Sequence, residues 1–131
     1  MTNEEKELLL KDLSARLPYG VKVCDNKNVH TLIGMAKDKI YSEEAGTVPC
    51  IVVLHIDNTR PYLRPMSSIT DEENEELDDI SERCSNFDLS EIGLRIADLV
   101  SEFCNRHHFD YRGLIKKGLA LEATEDMYKQ N

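Results

Sequence analysis

With 131 residues, an apolar fraction of 40% and no tryptophan, the chain suffices for one domain, its core resting on Leu, Ile and Val with eight Phe and Tyr residues. The net charge of −9 is localised: residues 70–91 hold ten acidic side chains against Arg83 alone. Residues 1–69 balance nine acids with nine bases and residues 92–131 six with six, which argues against general electrostatic binding of nucleic acid.

Four cysteines (Cys24, Cys50, Cys84 and Cys104) are widely spread with no C-x-x-C pair, and Cys50 and Cys104 sit in apolar runs where a thiol acts as a small hydrophobe. The start MTNEEKELLLKD lacks the layout of a secretory signal, and no apolar run approaches membrane-spanning length. The expectation is a reduced, cytoplasmic protein with no membrane contact, no disulfide and no cofactor.

The expected architecture is a single α+β domain: an N-terminal helix, a small antiparallel curled sheet or partly open barrel of three to four strands, then two to three C-terminal helices. Thr2 and Glu5 form a capping box for the first helix, Leu9, Leu10, Leu13 and Leu17 give it one apolar stripe, and Pro18 ends it, so it covers residues 1–17. Residues 19–56 read as strand. Val21 and Val23 alternate with polar neighbours, Asp25-Asn26-Lys27-Asn28 is turn chemistry, and Val29, Thr31, Ile33 and Met35 share one face of a second strand. Lys37-Asp38 suggests another turn, Ile40-Tyr41 a short third strand, and residues 42–46 a polar loop. The run PCIVVLHI (residues 49–56) has the pattern of a central strand covered on both faces.

Residues 57–69 contain RPYLRP, whose two prolines forbid regular helix and predict a fixed extended connector. The helical part covers residues 70–124. Thr70 and Glu73 open an acidic helix through about Cys84, with only Leu77, Ile80 and Cys84 on its apolar stripe. Asp88 caps a third helix, the most amphipathic in the chain and the expected main partner of the sheet. A short helix from Asp110 to Lys117 should stop at Gly118, Leu119 and Leu121 should fold back, and residues 125–131 should fray.

No phosphate-binding glycine loop, dinucleotide fingerprint or nucleophile elbow is present, and the DEENEELDD run lacks the glycine and spacing of a calcium loop. The densest reactive cluster is CNRHHFD (residues 104–110). If the helix continues, Cys104 and His108 lie one turn apart, so Cys104, His107 and His108 could share a metal with His55, Cys84 or Asp110, or form a thiol nucleophile pair. The bland reading is a buried thiol and histidines at a helix C-terminus. In the connector, Tyr62 and Leu63 are expected to anchor to the core and Arg60 or Arg64 to pair with the acidic helix. Alternatively Arg60, Tyr62 and Arg64, with His107, His108, Tyr111 and Arg112, present a partner-binding site. Lys116-Lys117 adds a basic spot too small for nucleic-acid recognition.

Three stretches, LLLKDLSARLPYGVKV (residues 8–23), PYLRPMSSITDEE (residues 61–73) and HHFDYRGLIKKGLALEATEDMY (residues 107–128), resemble a family of short uncharacterised proteins of Bacteroides genomes, prophages and other mobile elements. The resemblance implies a source context and no residue roles. The expected function is therefore a non-enzymatic accessory protein of a phage-like or mobile element, acting on an unidentified protein partner or on copies of itself. The alternatives are a small metal-binding or thiol enzyme, a nucleic-acid module, and an acidic mimic of DNA.

Overall fold

The computed structural model describes residues 1–25, 28–36, 39–44, 50–84, 89–124 and 126–128, with residues 44, 50, 83, 84 and 89–96 described through their backbone alone. The chain is α+β. Helix α1 (Asn3–Arg16) begins at the Thr2–Glu5 capping box and passes into a 3₁₀ turn at Leu17–Tyr19, where Pro18 removes a helical donor. Strands β1 (Lys22–Asp25), β2 (Asn28–Ala36), β3 (Lys39–Glu44), β4 (Cys50–His55) and β5 (Thr59–Leu63) follow. Helices α2 (Asp71–Cys84) and α3 (Leu89–Arg106) come next, and β6 (Leu121–Glu122) closes the order.

Among the described residues one sheet of six strands results, in the order β4-β3-β2-β1-β5-β6, antiparallel except for the β5–β6 pair. The expected three or four strands fall short for two reasons. The connector at residues 57–69 contains a strand, β5, paired with β1 through Val23↔Pro61, and the returning C-terminal segment adds β6. Proline is compatible with β5 because the β1–β5 ladder ends at Pro61.

The PCIVVLHI run is not a covered central strand. β4 lies at the end of the sheet, with Ile51 68% and Val53 57% exposed on its outer face while Leu54 is buried. In β2, His30 and Leu32 point to the core, so Val29, Thr31 and Ile33 face outward. A bulge between Leu32 and Gly34 then returns Met35 to the inner side against the core. The polar loop expected from residue 42 begins later, because β3 extends to Glu44.

Leu9 and Leu13 of α1 cover the inner face of the sheet with Val21, Val23, Leu32, Ile40, Ile56, Leu63 and Leu114 in one continuous core. Among the described side chains, α3 packs not on the sheet but against α2, where Ile80, Phe103, Cys104 and Phe109 form a second cluster flanked by Leu77 and Leu99. The expected helix from Asp110 to Lys117 is instead a run of turns: the Asp110 carboxylate accepts from Leu114 N and Ile115 N, and Gly113 at φ 72° interrupts any helix. Leu119 is buried and Leu121 enters β6, as a fold-back requires. Tyr128 is hydrogen-bonded to two strands, so the tail is tied down there. The Asp88 cap, Asn26-Lys27, Lys37-Asp38, residues 45–46 of the polar loop, and residues 125 and 129–131 of the tail lie outside the described residues. No helix among the described residues is long and apolar enough to cross a membrane.

Candidate functional site

The segment after α3 organises two networks of charged side chains. α3 ends in a Schellman arrangement: Phe109 N donates to Cys104 O at 2.8 Å and His108 N to Asn105 O at 3.3 Å. His108 occupies the left-handed position that glycine normally takes, at φ 63°. Its carbonyl accepts from Arg64 N at 2.7 Å, and Asp110 N donates to Arg64 O at 2.8 Å, so this strained turn is laced to the end of β5.

The first network centres on Arg64. Its guanidinium makes a forked pair with Glu73 of α2 at 2.6 and 2.7 Å, donates to Ser68 O at 3.0 Å, and lies 4.3 Å over the Phe109 ring. Those hydrogen bonds, helped by Thr70, hold the Glu73 carboxyl down at about 2 against the opposing effect of burial. His107 sits between two carboxylates, Nδ1 3.2 Å from Glu73 and Nε2 2.9 Å from Glu76, and Arg106 pairs with Glu76 as well. The expected pairing of a connector arginine with the acidic helix is thus made by Arg64.

The second network is buried under α1. Asp12 is wholly buried and accepts from Arg16 Nε at 2.9 Å and Arg112 Nε at 3.1 Å. Arg16, also wholly buried, donates to Phe109 O at 2.6 Å. Arg112 donates to Tyr111 Oη at 2.8 Å, and both guanidinium groups lie over the Tyr111 ring.

The candidate residues from the sequence therefore separate into three places. Arg64, His107 and His108 share one surface; Tyr111 and Arg112 belong to the buried network; Arg60 and Tyr62 alternate with buried Thr59, Pro61 and Leu63 and so face the outer side of the sheet. There a hydrogen bond with Cys24 raises the Tyr62 hydroxyl to about 12. The Cys104–His107–His108 trio does not converge. Cys104 lies in the second core cluster, where burial pushes its thiol upward, away from the reactive thiolate. His107 faces α2, while the His108 ring stacks on Tyr128 at 3.8 Å. Asp110 is occupied by its own turn, and His55 is at the far end of β4. The side chain of Cys84 is outside the described set, and among the described residues no group of three metal-ligating side chains is arranged around a common point.

Arg64, His107 and His108 open onto a groove of about 1040 Å³, with Tyr19, Glu122 and Tyr128 along its other side. Burial and the nearby Arg16 charge lower His108 to about 4, and its Nδ1 has no hydrogen-bond partner among the described residues. Tyr128 carries no sequence signal because it lies in a segment that reads as frayed, and Tyr19 carries none because a lone tyrosine after a helix has no pattern around it. Comparison of the chain with protein-family models, curated proteins and solved structures returns no match.

Proposed function

We propose that the protein is a non-enzymatic accessory protein of a phage-like or mobile element, and that the groove beside Arg64 receives a segment of its protein partner. The observation that carries this reading is where the three family-like stretches meet. Every described residue lining the groove except Arg106 belongs to residues 8–23, 61–73 or 107–128. The walls are held by the Arg64–Glu73 and His107–Glu76 pairs, so little ordering remains to be done on binding. The partner segment is expected to be basic. Both lining arginines already face glutamates, whereas Glu72 and Glu122 are exposed on the rim and the outer face of α2 is acidic. Burial of Cys104 weighs against the thiol-enzyme alternative.

The test is affinity capture from host lysate with the wild-type chain, the Glu72→Lys/Glu122→Lys double variant, and a Lys116→Glu/Lys117→Glu control. The expected result is a partner held by wild type and control, released by salt, and lost from the rim variant. Equal capture by all three, or none by any, overturns the assignment.

A further inference from the structure

The opposite end of the sheet carries an independent feature. Among the described residues β4 is paired on one side only, along a regular register from Lys39↔His55 to Glu44↔Cys50, and its second edge ends the sheet. Edge strands are ordinarily blunted by a lysine, a proline, a bulge or a covering loop, because free backbone donors and acceptors recruit another strand. Within its described residues, Cys50–His55, β4 has none of the first three: its sequence is CIVVLH, and among the described residues the bulge of the β2–β3–β4 ladder lies in the β2–β3 pair. Its outer face is also apolar, with Ile51 and Val53 exposed beside Tyr41 and Ile33.

We infer that β4 pairs antiparallel with β4 of a second copy of this chain, joining two six-stranded sheets across a two-fold axis at Val52. Three features select a second copy as the occupant. The strand is its own complement: pairing about Val52 sets Ile51 of one copy opposite Val53 of the other, twice, and keeps outward residues with outward residues. No charge on Cys50–Leu54 opposes this pairing. The flanking strands tolerate it: in the joined sheet the row through Glu43 and Ile51 of one copy continues to Val53 and Tyr41 of the other, so Glu43 meets no like charge in its row. An isologous contact of this kind closes after two copies and does not propagate.

A pairing of about five residues per strand is at the small end of specific interfaces, so the expected dissociation constant is about 10–100 µM. Sedimentation velocity in reductant from about 1 to about 300 µM tests it, paired with hydrogen exchange of the β4 amides at both ends of the range. The wild type is expected to pass from monomer to dimer with slower exchange in β4. Val53→Lys, a change at an exposed position, is expected to weaken association at least about tenfold while circular dichroism and the thermal midpoint stay at wild-type values. Val29→Lys, on the same outer face but two strands inward, should leave association unchanged. A wild type that stays monomeric throughout overturns the inference. So does equal loss in Val29→Lys without β4 protection, which would mean that the sheets pack face to face. Neither result touches the groove reading, because the groove variants leave β4 intact.

Discussion

Asp12 is the residue whose role is most distorted by reading the sequence alone. Asp12 and Arg16 are spaced for an ordinary surface pair on a helix, yet both are wholly buried and joined from the far end of the chain by Arg112. Removing one member of such a cluster leaves uncompensated charge out of water. Asp12→Ala is therefore expected to cost about 3–5 kcal/mol in urea unfolding, far above a surface helix pair. Two other described residues contribute to the acid side of the stability profile. His108 is lowered from 6.5 to about 4, so its neutral form is favoured by folding, and its contribution is complete above pH 6.5 and lost as the pH falls toward 4. Glu73 is lowered from 4.5 to about 2, so its contribution is complete above pH 4.5 and fades between there and pH 2. His108→Asn, which also tolerates the left-handed backbone, should flatten the dependence of the urea midpoint on pH between 6.5 and 4.5. Glu73→Gln should leave that slope and reduce the one below it.

Among the elements, the helices that declare their own starts were legible. Thr2–Glu5 and Thr70–Glu73 cap α1 and α2 through contacts three residues apart, which a local pattern can encode. β4 and β5 were misread because their surroundings are set by other parts of the chain. A continuous apolar run looks the same whether a second strand covers it or an edge leaves it open, and the two prolines of RPYLRP hid a strand. The β1–β5 pair shows how such a strand is completed. Its ladder stops at Val23↔Pro61, and the hydroxyl of Tyr128 takes over, accepting from Lys22 N at 2.8 Å and donating to Tyr62 O at 2.7 Å. Burial raises that hydroxyl well above the ordinary tyrosine range, so it remains a donor at any working pH. Tyr128→Phe leaves both backbone groups without this bridge and is expected to cost about 1–3 kcal/mol, measured as a lowered urea midpoint at unchanged slope.

For the whole molecule, the α+β class and the acidic helix could be read from the chain, and so could a tie between that helix and a connector arginine, though not that Arg64 rather than Arg60 makes it. The groove could not. Its sides come from residue 19, residues 64–73 and residues 106–128, and only the closed fold brings these together. The same holds for the division of the core, in which, among the described side chains, α1 rather than α3 covers the sheet. Periodicity gives α3 the better apolar face but does not say which neighbour meets it. The two proposed contacts also lie at different ends of the sheet, one beside β6 and one at β4. A dimer joined at β4 would therefore carry two grooves, and a partner with two basic segments would be held by both at once.

The ties between the first and last parts of the chain have a consequence for synthesis. Arg16 reaches Phe109, Asp12 reaches Arg112 and Lys22 reaches Tyr128. On the ribosome, α1 and the first strands emerge long before any of these partners, so its buried aspartate and arginine can pair early only with each other. The nascent chain must keep residues 12–22 solvated until residues 109–128 have left the exit tunnel, so the fold closes only once those partners are available.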